Sequence, residues 1–408
     1  MKIKRNIISL YGLRLANQAL PLIYIPYLLK TLGTSEYGIL AFCLGICAIT
    51  LPLIDYGFNL TATRDLANSD DSIKDSGVAT SILWAKLSIT FGLIAPILIV
   101  AQTRPENELG ILFITYISIA LQSLFPAYIF QAKREMTLIA ILSIGSRLIS
   151  IACIFIFVKN KGDAVLVPLS NTLGSLLAVL VSYILISKKY QIYIGGPVAK
   201  NIYAQMKIGG NAFLANTAAT LYNVAGTISL GYLSSNESVA IYSLAEKALQ
   251  LTKGIYLPFI QAIYPDWSQA MKTKNSKLQK TLFSSLLILL TFLCLIVPIL
   301  IYASTKIPET YLQTNSETLT VLLGIILCVA PFDFIRNIAG NLILLNNGHD
   351  RFYSNIMLSG CIFGALLVFL LTFNYQAVGA ANGLLIVEVT LTTILSIKAY
   401  KTFRCQNT

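Results

Sequence analysis

Residues 282–302 read LFSSLLILLTFLCLIVPILIY, an unbroken stretch with no charged side chain. A run of about 20 apolar residues is the length that crosses a hydrocarbon core of about 30 Å as a helix. The same pattern recurs on both sides of it. Apolar stretches lie near 7–29, 37–57, 78–100, 110–130, 138–157, 165–186, 209–233, 239–258, 282–302, 318–334, 353–372 and 377–397, joined by short polar connections. The fold class expected is therefore an all-α membrane protein of twelve transmembrane helices. No hydrophilic segment is long enough for a water-soluble catalytic domain.

Composition points the same way. Hydrophobic residues make up 56% of the 408 and charged residues 12%, against about 25% charged in a typical soluble domain. The net charge of +12 could signal nucleic acid, but its distribution excludes that reading. Two-thirds of the 30 Lys and Arg fall at the termini and in the even-numbered connections, with Lys188, Lys189, Lys200 and Lys207 in one and Lys272, Lys274, Lys277 and Lys280 in another. This is the positive-inside bias, and it places both termini in the cytoplasm. Six of the seven cysteines fall within spans and Cys405 in the tail, so no disulfide framework is expected. The first apolar stretch follows Lys2, Lys4 and Arg5 like a signal peptide. It is too long, contains Arg14 and lacks a small-residue cleavage site, so it reads as a retained helix.

The connection 187–208, punctuated by Gly195, Gly196 and Pro197, divides the chain into an N-terminal six-helix lobe (1–186) and a C-terminal six-helix lobe (209–408). Leu15-Ala16-Asn17 recurs as Leu214-Ala215-Asn216, and Leu32-Gly33-Thr34-Ser35-Glu36 is echoed by Leu233-Ser234-Ser235-Asn236-Glu237. Two six-helix halves entering in one orientation imply parallel repeats, which in transporters bind substrate between the halves and alternate its access.

A charge near the centre of a membrane helix costs about 2.5–3.5 kcal/mol on insertion scales, so each needs a reason. The candidates are Arg14, Lys86, Arg147, Lys247 and Lys253, with Asp55, Glu246, Asp333 and Glu388. Arg14 and Lys86 are near enough to a helix end to snorkel, and Asp333 can pair with Arg336 at i, i+3. Arg147 lies mid-span on a face with Ser143 and Ser150, which cannot point at lipid without leaving donors unsatisfied. Its two readings are a hydrated cavity and a buried structural pair. Glu388 is equally deep; it is a candidate for ion coupling, as are Glu246, Asp55 and Asp333, or a static partner of Lys247 or Lys253. Polar stripes on the first helix of each half, Asn17 and Gln18 in one and Asn216, Thr220 and Asn223 in the other, point to a shared cavity between the lobes. They can equally serve as helix–helix contacts. Five basic residues against four acidic within the spans favour an anionic ligand carrying phosphate.

The sole histidine, His349, sits in the turn Asn346-Asn347-Gly348-His349-Asp350. No metal spacing, Walker A loop or nucleotide fingerprint is present, so no cofactor and no enzyme is expected.

Several motifs carry a family likeness. Pro26-Tyr27-Leu28 followed by Leu32-Gly33-Thr34-Ser35-Glu36-Tyr37-Gly38 resembles the start of Wzx-type polysaccharide flippases. Asp55-Tyr56-Gly57-Phe58-Asn59-Leu60-Thr61-Ala62-Thr63-Arg64 is similar to their second-span exit. Pro126, Phe130-Gln131-Ala132-Lys133-Arg134-Glu135-Met136 and Ser146-Arg147 fit as well, with Ala132 where the family more often has Gly. Pro258, Gln261 and Tyr264-Pro265 match more loosely. The resemblance implies the multidrug/oligosaccharidyl-lipid/polysaccharide exporter superfamily and a bacterial inner-membrane location. It further implies transfer of undecaprenyl-pyrophosphate-linked oligosaccharide, such as an O-antigen repeat unit, from cytoplasmic to periplasmic leaflet. A proton or sodium gradient, and contact with the polymerase and chain-length regulator of the pathway, are expected accompaniments. A drug exporter of the same superfamily and, more remotely, a membrane polysaccharide polymerase or acyltransferase are the competing readings. The cation-leaning interior disfavours the first, and the short outer connection at 303–317 disfavours the second.

Overall fold

The computed structural model describes residues 2–67, 71–197, 199–273, 276–304 and 316–407. Among them all regular structure is helical. The chain forms two compact units, Met1–Val224 and Ala225–Thr408.

The first unit begins with α1 (Lys2–Leu32) and α2 (Thr34–Asp55). They are separated by Gly33, whose φ of 84° lies in the left-handed region that favours glycine. A short α3 (Phe58–Ala67) follows a second left-handed turn, Tyr56 (φ 47°) and Gly57 (φ 77°). The two motif segments that begin and end the second span are thus its two turns. Next come α4 (Ser72–Gln102), capped by the Asp71 carboxylate on the Ile73 and Lys74 N–H groups, and α5 (Glu106–Leu124). The span expected at 110–130 stops short: the chain breaks at Phe125-Pro126, where Pro126 cannot donate to a continuing helix, and resumes as a short α6 (Ala127–Ala132). Then α7 (Met136–Phe157), a 3₁₀ turn at Lys161–Val165 and α8 (Leu166–Tyr190) complete most of the unit. Tyr128, Phe130, Phe58 and Ile139 form part of its buried core.

The linker is shorter than 187–208. α8 continues to Tyr190 and α9 (Ala199–Leu233) already begins at Ala199. Residues 191–197 are pinned along α4: the Tyr193 N–H donates to Ser76 Oγ, the Gly195 N–H to Thr80 Oγ1, and Trp84 Nε1–H to the Gly195 carbonyl, each at 3.0 Å. The boundary between the compact units falls inside α9, and Phe213 in its first half stacks on Tyr56 at 4.5 Å.

The second unit holds the rest of α9, α10 (Asn236–Lys272), α11 (Ser276–Ser304), α12 (Ser316–Leu327) and α13 (Val329–Asn337). A π-helical turn at Ile338–Leu344 follows, and then α14 (Asp350–Asn407). Between them Gly348 (φ 74°) makes the turn that places His349 in a loop, as the sequence predicts. α14 is two arms folded at Tyr375 and Gln376, where φ/ψ leave the helical region. The arms meet closely: a Cβ on Gly379 would fall on the Leu371 carbonyl, and one on Gly383 would lie 3.0 Å from Val368 Cα.

Large apolar side chains face outward in both units, among them Phe91, Ile99, Leu180, Leu295, Phe363 and Phe373. This is the surface of a protein whose solvent is hydrocarbon. Among the described residues eight helical stretches are long and apolar enough to span, one of them the two-armed α14. Helices α1, α9 and α10, at 31, 35 and 37 residues, are long enough but more polar. Twelve crossings follow if these three also span and α14 crosses twice.

Replacing Gly379 by Val should prevent closure of the α14 arms, since overpacking typically costs about 1–3 kcal/mol and here the clash is with backbone. Gly324→Ala, with open space at its Cβ, should be neutral or mildly stabilising. Thermal unfolding of the detergent-purified proteins distinguishes the two.

Candidate functional site

The charged side chains within the helices separate into those that are neutralised by a neighbour and those that are not. In the first unit Lys86 does not snorkel. It is 1% exposed, and its Nζ donates to Asp55 Oδ1 at 2.9 Å and to the Ser123 carbonyl at 2.7 Å. Asp55 also accepts from Asn59 Nδ2 at 2.7 Å. Lys86 and Asp55 are therefore one buried pair across α2 and α4, and Lys86 offers no free cation. Nearer the ends of the helices, Lys133 binds Asp75 at 2.8 Å and Arg104 binds Glu108 at 2.7 Å.

Arg147 is different. Among the described residues no carboxylate lies within 4 Å of it, and it lines a cavity of about 130 Å³ with Asn17, Gln122, Ser143, Ser146 and Ser175. Four helices contribute: α1, α5, α7 and α8. Asn17 Oδ1 and, next to it in sequence, Gln18 Oε1 are buried with no hydrogen-bond partner among the described residues. Gly174 allows α8 to lie close against α7, since a Cβ there would strike the Ser146 carbonyl and Ser150 Oγ. Ser150 therefore belongs to that contact, donating to the Ser146 carbonyl at 3.0 Å, and only Ser143 of the two expected neighbours faces the cavity. A guanidinium without a carboxylate, among amide and hydroxyl groups, can take an oxyanion bidentately. Gln122 and Ser175 were not legible from sequence, because nothing local says which face of α5 or α8 turns toward α7.

The second unit holds a larger ionic cluster. Arg336 Nε–H donates to Glu388 Oε2 at 2.9 Å, and its other arm binds Asp333. Asp333 also receives Lys253 Nζ at 3.4 Å, the Tyr256 hydroxyl and Asn337 Nδ2 at 3.1 Å. Two cations meet two carboxylates, both only 2% exposed. Glu388 thus has a fixed partner, and it is Arg336 rather than Lys247 or Lys253. Arg336 was visible in the sequence only as the i, i+3 neighbour of Asp333; its reach to Glu388 needs the second arm of α14 folded back.

Glu246 has no ion pair within 4 Å among the described residues, and its carboxylate accepts from Thr227 Oγ1 at 2.7 Å. Of the remaining stripe, Thr220 is partly buried and Asn223 exposed, while the side chains of Arg14 and Asn216 lie outside the described residues. Lys247 lies beside Glu246 in the sequence of α10. The six described cysteines are free, and among the described residues no cluster of His, Cys, Asp and Glu could hold a metal ion.

Helical units with an apolar exterior, charges neutralised in pairs and, among the described residues, an arginine without a carboxylate in a cavity that amide and hydroxyl groups help to line are those of a multi-pass membrane protein of transporter type. The chain belongs to the polysaccharide biosynthesis protein family, which it matches over residues 3–271. It is 28% identical to an Escherichia coli (strain K12) protein named for O-antigen transport, over 97% of this chain and 96% of that one. A Shigella dysenteriae protein of the same name is 24% identical over 98% and 100%. Among solved structures it resembles lipid II flippase MurJ in an inward closed conformation (TM-score 0.76, 14% identity, 96% of this chain and 87% of that one). It also resembles an inward-facing multidrug resistance MATE family transporter of the MOP superfamily (TM-score 0.67, 12% identity, 95% and 99%). At such identities these structures establish the fold.

The Arg336 cluster should behave as a structural clasp. Arg336→Gln leaves Glu388 without its partner and should destabilise the protein by about 3–5 kcal/mol, the usual cost of breaking a buried pair from one side. Adding Glu388→Gln should recover a substantial part. A double-mutant cycle on thermal stability measures this, and additive losses would contradict the pairing.

Proposed function

We propose that the protein is a flippase moving undecaprenyl-pyrophosphate-linked oligosaccharide from the cytoplasmic to the periplasmic leaflet of the bacterial inner membrane by alternating access. The observation that carries the reading is the Arg147 cavity. Lys86, Arg104, Lys133, Lys253 and Arg336 are each held by a carboxylate, whereas Arg147 is a guanidinium kept in a pocket of amide, hydroxyl and apolar groups with no carboxylate within 4 Å among the described residues. That arrangement suits a pyrophosphate, with Asn17, Gln122, Ser143, Ser146 and Ser175 as hydrogen-bonding groups for it or for the first sugar. The family and the naming of the two relatives support the substrate class. Arg14 and Lys247 would add positive charge along the route, with Gln18, Asn216, Thr220 and Asn223 as polar lining; Lys253 is bound to Asp333 and so is not a ligand in this reading. Lys86 enters this reading as the residue that holds Asp55, not as a ligand.

Coupling to a proton or sodium gradient is part of the same proposal. Of the candidate carboxylates, Asp55, Asp333 and Glu388 are each bound to a lysine or arginine. Glu246 can change its protonation without breaking an ion pair, so it is the better coupling residue. Contact with the polymerase and chain-length regulator would follow from a place in the same pathway.

Two outcomes test the reading. In a flippase-deleted host, Arg147→Ala should lose most surface polysaccharide at matched membrane abundance, because a hydrogen-bonded charge worth about 1.5–3 kcal/mol corresponds to roughly 10–100-fold in binding. Arg147→Lys should lie between Ala and wild type, keeping charge but not the bidentate fork. Full polysaccharide from the alanine variant would remove Arg147 from the site. Separately, reconstituted Glu246→Gln protein should transport independently of an imposed gradient. Unchanged gradient dependence in a folded variant would leave Glu246 a structural partner of Thr227.

A further inference from the structure

The second unit contains an apolar cleft of about 520 Å³ that neither the ionic cluster nor the proposed transport route uses. Its walls come from α11 (Leu286, Leu287 and Leu290), the end of α13 and the π-helical turn (Ile338 and Ile343), and the last part of α14 (Tyr400). Phe283, Leu287 and Tyr400 at its margin are 48%, 46% and 68% exposed, so the cleft is open at the surface. The volume is in the range of a real ligand site, and almost all of the lining is hydrocarbon. Beside a bilayer such a space is filled by a chain, because an apolar void loses its contacts and water finds no partners there.

The cleft also has a polar end. Trp267 Nε1 and Ser396 Oγ belong to residues that line it, and neither has a hydrogen-bond partner among the described residues. Lys401 follows the lining Tyr400 and is exposed, and in the sequence Lys272 closes α10 while Lys277 and Lys280 fall in the first turns of α11. A hydrocarbon slot with two unpaired polar groups in its lining and the exposed Lys401 beside it complements a molecule with an apolar chain, ester oxygens and a negative head.

We propose that this cleft is a binding site for one acyl chain of an anionic glycerophospholipid from the leaflet that borders the α10–α11 connection. The volume favours a single acyl chain over a polyprenyl chain, which is several times longer and would mostly hang outside. The π-helical turn gives the site a purpose in the fold. One extra residue per turn widens the helix where Ile338 and Ile343 face the chain, immediately after the Asp333–Arg336 clasp. An occupied cleft would therefore brace the segment that holds the clasp. The inference holds whether or not the transported lipid is the one proposed above.

The test uses the purified full chain in phosphatidylcholine nanodiscs with a trace of phosphatidylglycerol bearing a diazirine on its acyl chain. After irradiation, adducts should concentrate on residues 283–290 and 335–343. Unlabelled phosphatidylglycerol should compete for them and added phosphatidylcholine should not. Leu287→Trp, which fills the slot from its margin, should reduce the adducts severalfold. Lys401→Glu, at an exposed position, should lower the preference for phosphatidylglycerol while leaving the thermal midpoint unchanged. Adducts spread evenly over outward-facing helices, or unaffected by both substitutions, would overturn the site. Stronger competition by undecaprenyl phosphate than by phosphatidylglycerol would overturn the choice of occupant, assigning the cleft to an isoprenoid chain.

Discussion

A charged group inside a hydrocarbon layer must meet an opposite charge, a set of dipoles or water, and the folding of each unit satisfies that constraint residue by residue. Lys86 is held by Asp55 and the Ser123 carbonyl. Asp333 and Glu388 are held by Arg336, with Lys253 alongside. These contacts join helices distant in sequence: α2 to α4 in the first unit, and α10, α13 and the far arm of α14 in the second. Neutralisation is thus also what fixes helix register, since a slip of one residue would strand a charge in a medium that does not forgive it.

The backbone obeys the same rule. With no water to satisfy freed amides and carbonyls, breaks in the helices are confined to places where another group takes over. Outside the spans the exposed strap at 191–197 is tied to α4 through the Tyr193 and Gly195 amides and the Gly195 carbonyl, met by Ser76, Thr80 and Trp84. The fold at Tyr375 and Gln376 lies at the tip of a hairpin whose arms are brought together over Gly379 and Gly383. The π-helical turn adds a residue in the second unit just past Arg336.

Against that background Arg147 stands out by contrast. A family that handles polysaccharide precursors needs a place to hold an anion without holding it permanently. Under the proposed function, a guanidinium beside serines and amides, with no carboxylate within 4 Å among the described residues, would meet that need. Pairing it with a glutamate would have stabilised the empty protein and closed the site. Lys86 shows the alternative outcome, a cation within a span that is held by a carboxylate.

Much was decided by the sequence alone. The length and spacing of apolar runs determine a multi-pass helical protein, because the bilayer permits little else. Gly33 and Gly57 in the turn motifs mark helix ends because a positive φ suits glycine best. Arg147 was identifiable by depth and by its serine neighbours, since both are properties of one helix. The partners of the remaining charges were not. Periodicity places Lys86, Glu388 and Asp333 on helices but cannot say which faces meet, so Lys86 read as a snorkelling or ligand-facing cation and Glu388 as a coupling candidate or a partner for a lysine. Those assignments depend on contacts between helices 31 to 77 residues apart in the chain, such as Lys86 with Asp55 and Tyr256 with Asp333. Only tertiary packing settles them, because the energy of a buried charge depends on the neighbour three ångströms away and not on the residues beside it in the chain.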